Sequence, residues 1–198
     1  RLNSVYNDLA AIAPVVYLST DSELGVVQST AANARTIASL FGKEAEIDAM
    51  TSGFDARIAA IKEEFGGKST VVGMYSGSNF NVLGNDGRCS LIGREAGFAN
   101  VGADAQPGTS THGNEASFVF LVDKDPDYLF VLDRDAAIGT AGAKLAQEVV
   151  ENELMKGTAA YRDGRIVYLA HPAVWYTAEG GITALDLMLQ DLESELLG

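Results

Sequence analysis

The sequence predicts an α/β fold built around a mainly parallel sheet, and three observations predict it. Short apolar, β-branched runs alternate along the chain with amphipathic stretches of helical period. The chain has 198 residues, enough to bury a sizeable core. Hydrophobic residues make up 47% and charged residues 21%, the proportions of a globular protein, with no apolar run of about 18 residues that would span a membrane.

The elements follow in order. RLNSVYNDLAAIAP at 1–14 predicts a short helix closed by Pro14. VVYLS at 15–19 is compact and β-branched and predicts a buried strand. TDSELG is a turn, and residues 26–41 have helical period ended by Gly42. Residues 43–65 predict a second, longer helix. Its apolar positions Ile47, Met50, Phe54, Ile58 and Ile61 recur at intervals of three and four, and Gly53 is a weak point within it. STVVGMYS (69–76) and NFNVLG (79–84) predict strands, and NDGRCSLIGREAGF predicts a turn entering a short helix. Residues 100–117 are rich in Gly, Asp, Ser and Thr and predict a loop. A short apolar segment ends at Pro126, and YLFVLD (128–133) is a strongly apolar strand followed by a loop, RDAAIGTAG. Residues 143–155 predict a helix, GRIVYLA (164–170) a strand, HPAVWYTAEGG a loop, and the segment from Ile182 onward an amphipathic C-terminal helix.

One strand precedes the helix over 43–65 and at least four follow it. A single strand cannot form its own sheet. The expected organisation is therefore residues 1–42 as the end of an N-terminal lobe whose start lies upstream, 43–66 as an inter-lobe helix, and 67–198 as a C-terminal α/β lobe.

The net charge of −13 argues against nucleic acid and against anionic membrane surfaces, both of which are bound through Lys and Arg. The single cysteine, Cys89, permits no disulfide within the chain and reads as a small core filler. No G-x-S-x-G elbow, Walker A loop or H-E-x-x-H is present.

In open α/β sheets ligands bind beyond the carboxyl ends of the strands. The loops there carry Arg88, Arg134, Trp175 and Tyr176, and the 100–117 loop carries His112. Arginine offers a permanent charge and a planar donor fork for oxyanions, while histidine and tyrosinate are ligands for ferric iron. The set suits an anionic, aromatic ligand.

The stretch T-H-G-N with FVFLVDKDPDYLFVLDR, and then RIVYLAHPAVWYTAEGGITAL, resembles the C-terminal lobe of class III periplasmic siderophore-binding proteins. More narrowly, it is similar to the enterochelin/petrobactin type, which binds catecholate siderophores. The opening RLNSVYNDLAAIAPVVYL resembles the segment that closes that family's N-terminal lobe. The resemblance implies a two-lobe fold with its lobes joined by a long helix, and most of the N-terminal lobe is absent from this chain. It implies capture of a ferric siderophore and delivery to an ABC permease, outside the cytoplasmic membrane, by a periplasmic or lipid-anchored monomer. It implies no enzymatic activity and no intrinsic cofactor. By the same resemblance His112 and Tyr176 complete the coordination of the siderophore iron, and Arg88, Arg134 and Arg1 face the catecholate oxygens.

Plainer readings stand beside these. Tyr176 can be a half-buried loop tyrosine, Trp175 a packing residue, and Arg134 a strand-end partner of Asp133 or Asp135. His171, before Pro172, reads as a turn residue. Arg94 with Glu95 reads as a solvated helix face, against the alternative that Glu95 docks to the permease. Rival functions are a class III protein for haem, cobalamin or a hydroxamate siderophore, and, farther off, an α/β enzyme using His112 and Tyr176 as acid and base.

Overall fold

The two most apolar runs of the sequence lie side by side at the centre of the sheet. The computed structural model describes residues 2–21, 23–77, 79–103, 114–142 and 144–198. Its strands are β1 (Ser69–Ser76), β2 (Asn79–Val82), β3 (Ala99–Asn100), β4 (Asn114–Ala116), β5 (Tyr128–Asp133) and β6 (Ile166–Tyr168). The spatial order is β4-β2-β1-β5-β6, with β3 paired to the start of β1 on the edge that β2 uses farther along. β1, β3, β5 and β6 are mutually parallel, whereas β2 and β4 are antiparallel additions, so the sheet is mainly parallel, as expected, with a mixed edge. The reason is local: Gly77, at φ 56°, turns β1 straight back into β2 as a hairpin.

The helices are α1 (Tyr6–Ala10), α2 (Gly25–Ser39), α3 (Glu44–Thr51), α4 (Phe54–Phe65), α5 (Phe118–Lys124), α6 (Arg134–Ala137), α7 (Ala146–Val150), α8 (Ala159–Arg162), α9 (Pro172–Thr177) and α10 (Ile182–Leu196). Strand side chains alternate between two cores. Val72, Met74, Phe130 and Leu132 pack with Ile61 and Phe65 of α4 and with Leu185, Met188 and Leu192 of α10. Val71, Tyr75, Leu129 and Val131 pack on the opposite face with Leu121, Val150, Met155 and Ala160. Because β1 and β5 are covered on both faces, they read as continuous apolar runs. Arg57 ties α4 to α10 through a two-bond fork to Glu193 (2.7 Å each) and a bond to Asp186 (2.6 Å). No described helix is long and apolar enough to cross a membrane.

Several expectations differ from this structure. VVYLS is not a strand: Val16 is 58% and Tyr17 45% exposed, and no described strand lies beside the run. A strand exists only where a neighbour completes its hydrogen bonds, whatever its composition. The helix over 43–65 is two helices, α3 and α4, separated at Ser52 and Gly53; Met50 is exposed whereas Phe54 and Ile61 are buried. The 100–117 segment contributes Asn100 to β3 and residues 114–116 to β4. The predicted helix at 143–155 is reduced to α7 and a following 3-10 turn, Met155–Gly157. The segments after β5 and β6 form helices, α6 capped by the Asp133 side chain at the end of β5 and α9 opening at Pro172.

Candidate ligand-binding site

The site forms where β1 and β5 end. β5 runs out at Asp133, whose Oδ1 accepts from the Ala136 N–H at 2.8 Å and whose Oδ2 accepts from the Ala146 N–H at 2.9 Å. This cap fixes the first turn of α6 and so the backbone of Arg134. Arg134 Nε donates to the Tyr176 hydroxyl oxygen at 3.0 Å, and Nη1 donates to Ser76 Oγ, at the end of β1, at 3.2 Å. The same Nη1 lies 3.5 Å from Oδ1 of buried Asp135, whose Oδ2 accepts from the Gly77 N–H at 2.8 Å. Asp135 thus holds both the arginine and the β1–β2 turn beside it. The plain reading of Arg134 as a partner of Asp135 is met by this ion pair. With its side chain 31% exposed, part of the guanidinium fork stays open to a ligand oxyanion.

Tyr176 is aimed by α9. His171 stands at the N-cap and Pro172 opens the helix, a position where the missing N–H costs nothing. Asp191 of α10 is buried and accepts from the His171 N–H at 3.0 Å and from Trp175 Nε1 at 2.8 Å; its Oδ1 lies 2.6 Å from His171 Nδ1. Successive residues of a helix point about 100° apart. Burying Trp175 completely, at 0% exposure, therefore turns Tyr176 away from the core centre. This corrects the expectation for Trp175: its side chain is a core member bonded to Asp191 and offers no face to a ligand.

Arg88 arrives differently. β2 is antiparallel, so the carboxyl-end rule does not deliver its loop. The turn after β2 instead crosses to α9, where Arg88 Nε donates to the Tyr176 carbonyl at 2.8 Å. The Arg88 Cζ lies 4.3 Å from the Tyr176 ring centroid and the Arg134 Cζ 5.6 Å from it, so two guanidiniums attend one phenol. Each such contact contributes about 0.5–1 kcal/mol when partly exposed. A cleft of about 280 Å³ opens beside them, lined among others by Thr20, Asp21, Asn85 and Glu179.

Glu179 is the residue that sequence reasoning missed, although it lies inside the quoted W-Y-T-A-E-G-G stretch. Its Oε1 accepts from the Cys89 N–H at 2.8 Å. Burial pushes its carboxyl up to about 7, opposed by the Cys89 bond and the Arg88 guanidinium. Cys89 is buried as expected of a core filler, and burial pushes its thiol well above the usual range. Glu95 differs from the expected solvated helix face. It turns inward, and its Oε1 accepts from the Val27 N–H at the start of α2 at 2.8 Å, while Arg94 pairs with Asp86 at 2.7 Å. Burial raises the Glu95 carboxyl despite the Val27 bond. The physical reason is that the open N–H groups of a helix start attract a carboxylate more effectively than water-exposed Arg94 does. His112 and Arg1 lie outside the described residues. Among the described residues no group of three or more His, Cys, Asp or Glu side chains could hold a metal ion.

With this geometry in hand, the chain compares closely with known proteins. A family model described as periplasmic binding protein matches residues 2–173. The chain belongs to that family. It is 32% identical over 198 residues to the petrobactin-binding protein YclQ of Bacillus subtilis, covering 99% of this chain and 61% of that protein. The crystal structure of YclQ matches with a TM-score of 0.86 at 30% identity, over 100% of this chain and 68% of that one. The periplasmic catecholate-siderophore binding protein VctP of Vibrio cholerae matches with a TM-score of 0.84 at 28% identity, over 97% and 68%. The chain spans about three fifths of the length of the curated relatives it matches. The α/β fold of class III binding proteins and the family resemblance, both expected from sequence, are borne out.

Proposed function

We propose that the protein is the solute-binding component of an ABC importer and captures a ferric, catecholate-containing siderophore. One observation carries the reading: Arg88 and Arg134 converge on Tyr176, at the end of the central strands. A ferric bis-catecholate is a net anion whose iron retains open coordination positions. Guanidiniums offset the charge of the catecholate oxygens, and a phenol among them supplies a hard oxygen ligand to iron. Tyr176 fills one position, and His112 fills another from the opposite side. Arg1 adds a third guanidinium. The names of YclQ and VctP, binding proteins for petrobactin and for catecholate siderophores, support the same ligand class.

In this reading residues 1–42 close the N-terminal lobe, 43–66 connect the lobes through α3 and α4, and 67–198 form the C-terminal lobe. The protein transforms nothing and holds no cofactor of its own. It works as a monomer outside the cytoplasmic membrane, free in the periplasm or lipid-anchored, and hands its cargo to the permease.

Titration of the full-length protein with a ferric bis-catecholate tests the reading. Quenching of protein fluorescence and a visible tyrosinate-to-iron charge-transfer band are expected. Tyr176→Phe should abolish the band, and Arg134→Ala should weaken binding by roughly 10- to 100-fold, the worth of one or two charge-assisted bonds. Absence of any spectral response in the wild-type protein would overturn the siderophore reading.

A further inference from the structure

Arg88 is held in an improbable piece of backbone. The residues on either side of it both have left-handed φ: Gly87 at 108° and Cys89 at 60°. For glycine this is free, but for cysteine it is disfavoured and persists only where the surroundings over-determine it. The Cys89 side chain is 1% exposed, so packing supplies part of the restraint. A directional restraint comes from across the cleft, where Glu179 Oε1 accepts the Cys89 N–H at 2.8 Å. Glu179 follows α9 by two residues, on the chain segment whose Tyr176 carbonyl accepts from Arg88 Nε. Adjacent residues of the turn, Arg88 and Cys89, thus donate to acceptors three residues apart on one partner segment.

We propose that Glu179 is a positioning residue for the ligand cleft: by accepting the Cys89 N–H it holds the Gly87–Cys89 turn in the conformation that lays Arg88 across Tyr176. It touches no ligand in this role. The inference rests on the siderophore reading for its consequence, but the brace itself is a property of this chain. Burial of the carboxylate beside the turn supports the role. A carboxyl buried where its ionised form is disfavoured costs stability once the pH rises above its folded-state value, as groups at functional sites often do.

Cys89 is the only cysteine of these 198 residues, and its modification, read at the Cys89 peptide by mass spectrometry, reports on the turn without reference to any ligand. In the full-length protein, Glu179→Ala should accelerate modification of Cys89 by a disulfide reagent at least about tenfold, the value of one charge-assisted bond. Glu179→Gln keeps an acceptor oxygen and should restore protection to within about threefold of wild type. Arg57→Ala, which loosens the distant α4–α10 contact, serves as the control for general destabilisation at matched unfolding midpoint. Equal protection in wild type and Glu179→Ala would overturn the proposal, as would equal acceleration in Arg57→Ala. Affinity for a ferric bis-catecholate provides the second readout. Glu179→Ala should lower it about tenfold in the wild-type background and leave it unchanged in an Arg88→Ala background. The same loss in both backgrounds would show that Glu179 does not act through Arg88 and would overturn the proposal. A wild-type protein that fails to bind the complex overturns the siderophore reading instead, and the thiol rates then decide the brace alone.

Discussion

Replacing Glu179 by Gln removes a titration that burial has moved from 4.5 up to about 7. A folded-state value above the unfolded one means that the folded protein holds the proton more tightly. The corresponding stability is fully present below the unfolded value and is lost as pH rises through the folded one. The window is therefore about pH 4.5 to 7. At about 1.36 kcal/mol per unit, the whole shift amounts to roughly 3 kcal/mol, most of which falls between pH 5 and pH 8.5. The assay is urea unfolding of wild type and Glu179→Gln at those two pH values. The wild type should lose roughly 2 to 3 kcal/mol more than the variant on going to pH 8.5. Glu95, whose carboxyl burial also raises, repels the Glu179 charge, so the difference between the two proteins includes the coupling of this pair. Parallel pH profiles, agreeing within about 0.5 kcal/mol, would refute the argument that Glu179 is buried at the expense of its ionised form.

Other perturbations follow from single contacts. Asp191→Ala removes the acceptor shared by the His171 N–H and the buried Trp175 indole, leaving those donors unmet; a loss of about 3 kcal/mol in urea unfolding is expected. Gly73→Ala places a Cβ 2.0 Å from Phe80 Cζ, so the ring must leave its place on β2; overpacking of this kind costs about 1–3 kcal/mol, measured by thermal unfolding. Arg57→Lys keeps the charge but loses the fork to Glu193, and should lower stability by about 1 kcal/mol, a difference reduced at high salt.

The strands of the sheet centre were legible because burial on both faces writes itself into composition: STVVGMYS and YLFVLD have apolar centres on both faces, and β1 and β5 occupy the predicted residues. The C-terminal helix was legible by its period, and α10 spans Ile182–Leu196. VVYLS has the same composition as those strands and yet forms none. Composition states that a segment prefers a pleated, covered surface, whereas a strand also needs a neighbour, and that is a property of the whole fold. The break between α3 and α4 was hinted at by Gly53 but not decided by it, since a single glycine costs a helix only about 1 kcal/mol.

The same division runs through the site. The residue types of an anion-binding, iron-ligating cleft, namely Arg88, Arg134 and Tyr176, are present in the sequence, because that chemistry requires guanidiniums and a phenol and little can replace them. Which of the neighbouring aromatics faces the cleft was settled only by packing: Asp191 draws the Trp175 indole into the core, and the helical turn then presents Tyr176. Glu179 and Glu95 look alike in the sequence, acidic residues in short polar stretches. One braces the Arg88 turn and the other closes the start of α2. A carboxylate takes its role from the N–H groups that converge on it, and those come from residues distant along the chain, so only the tertiary structure could assign it.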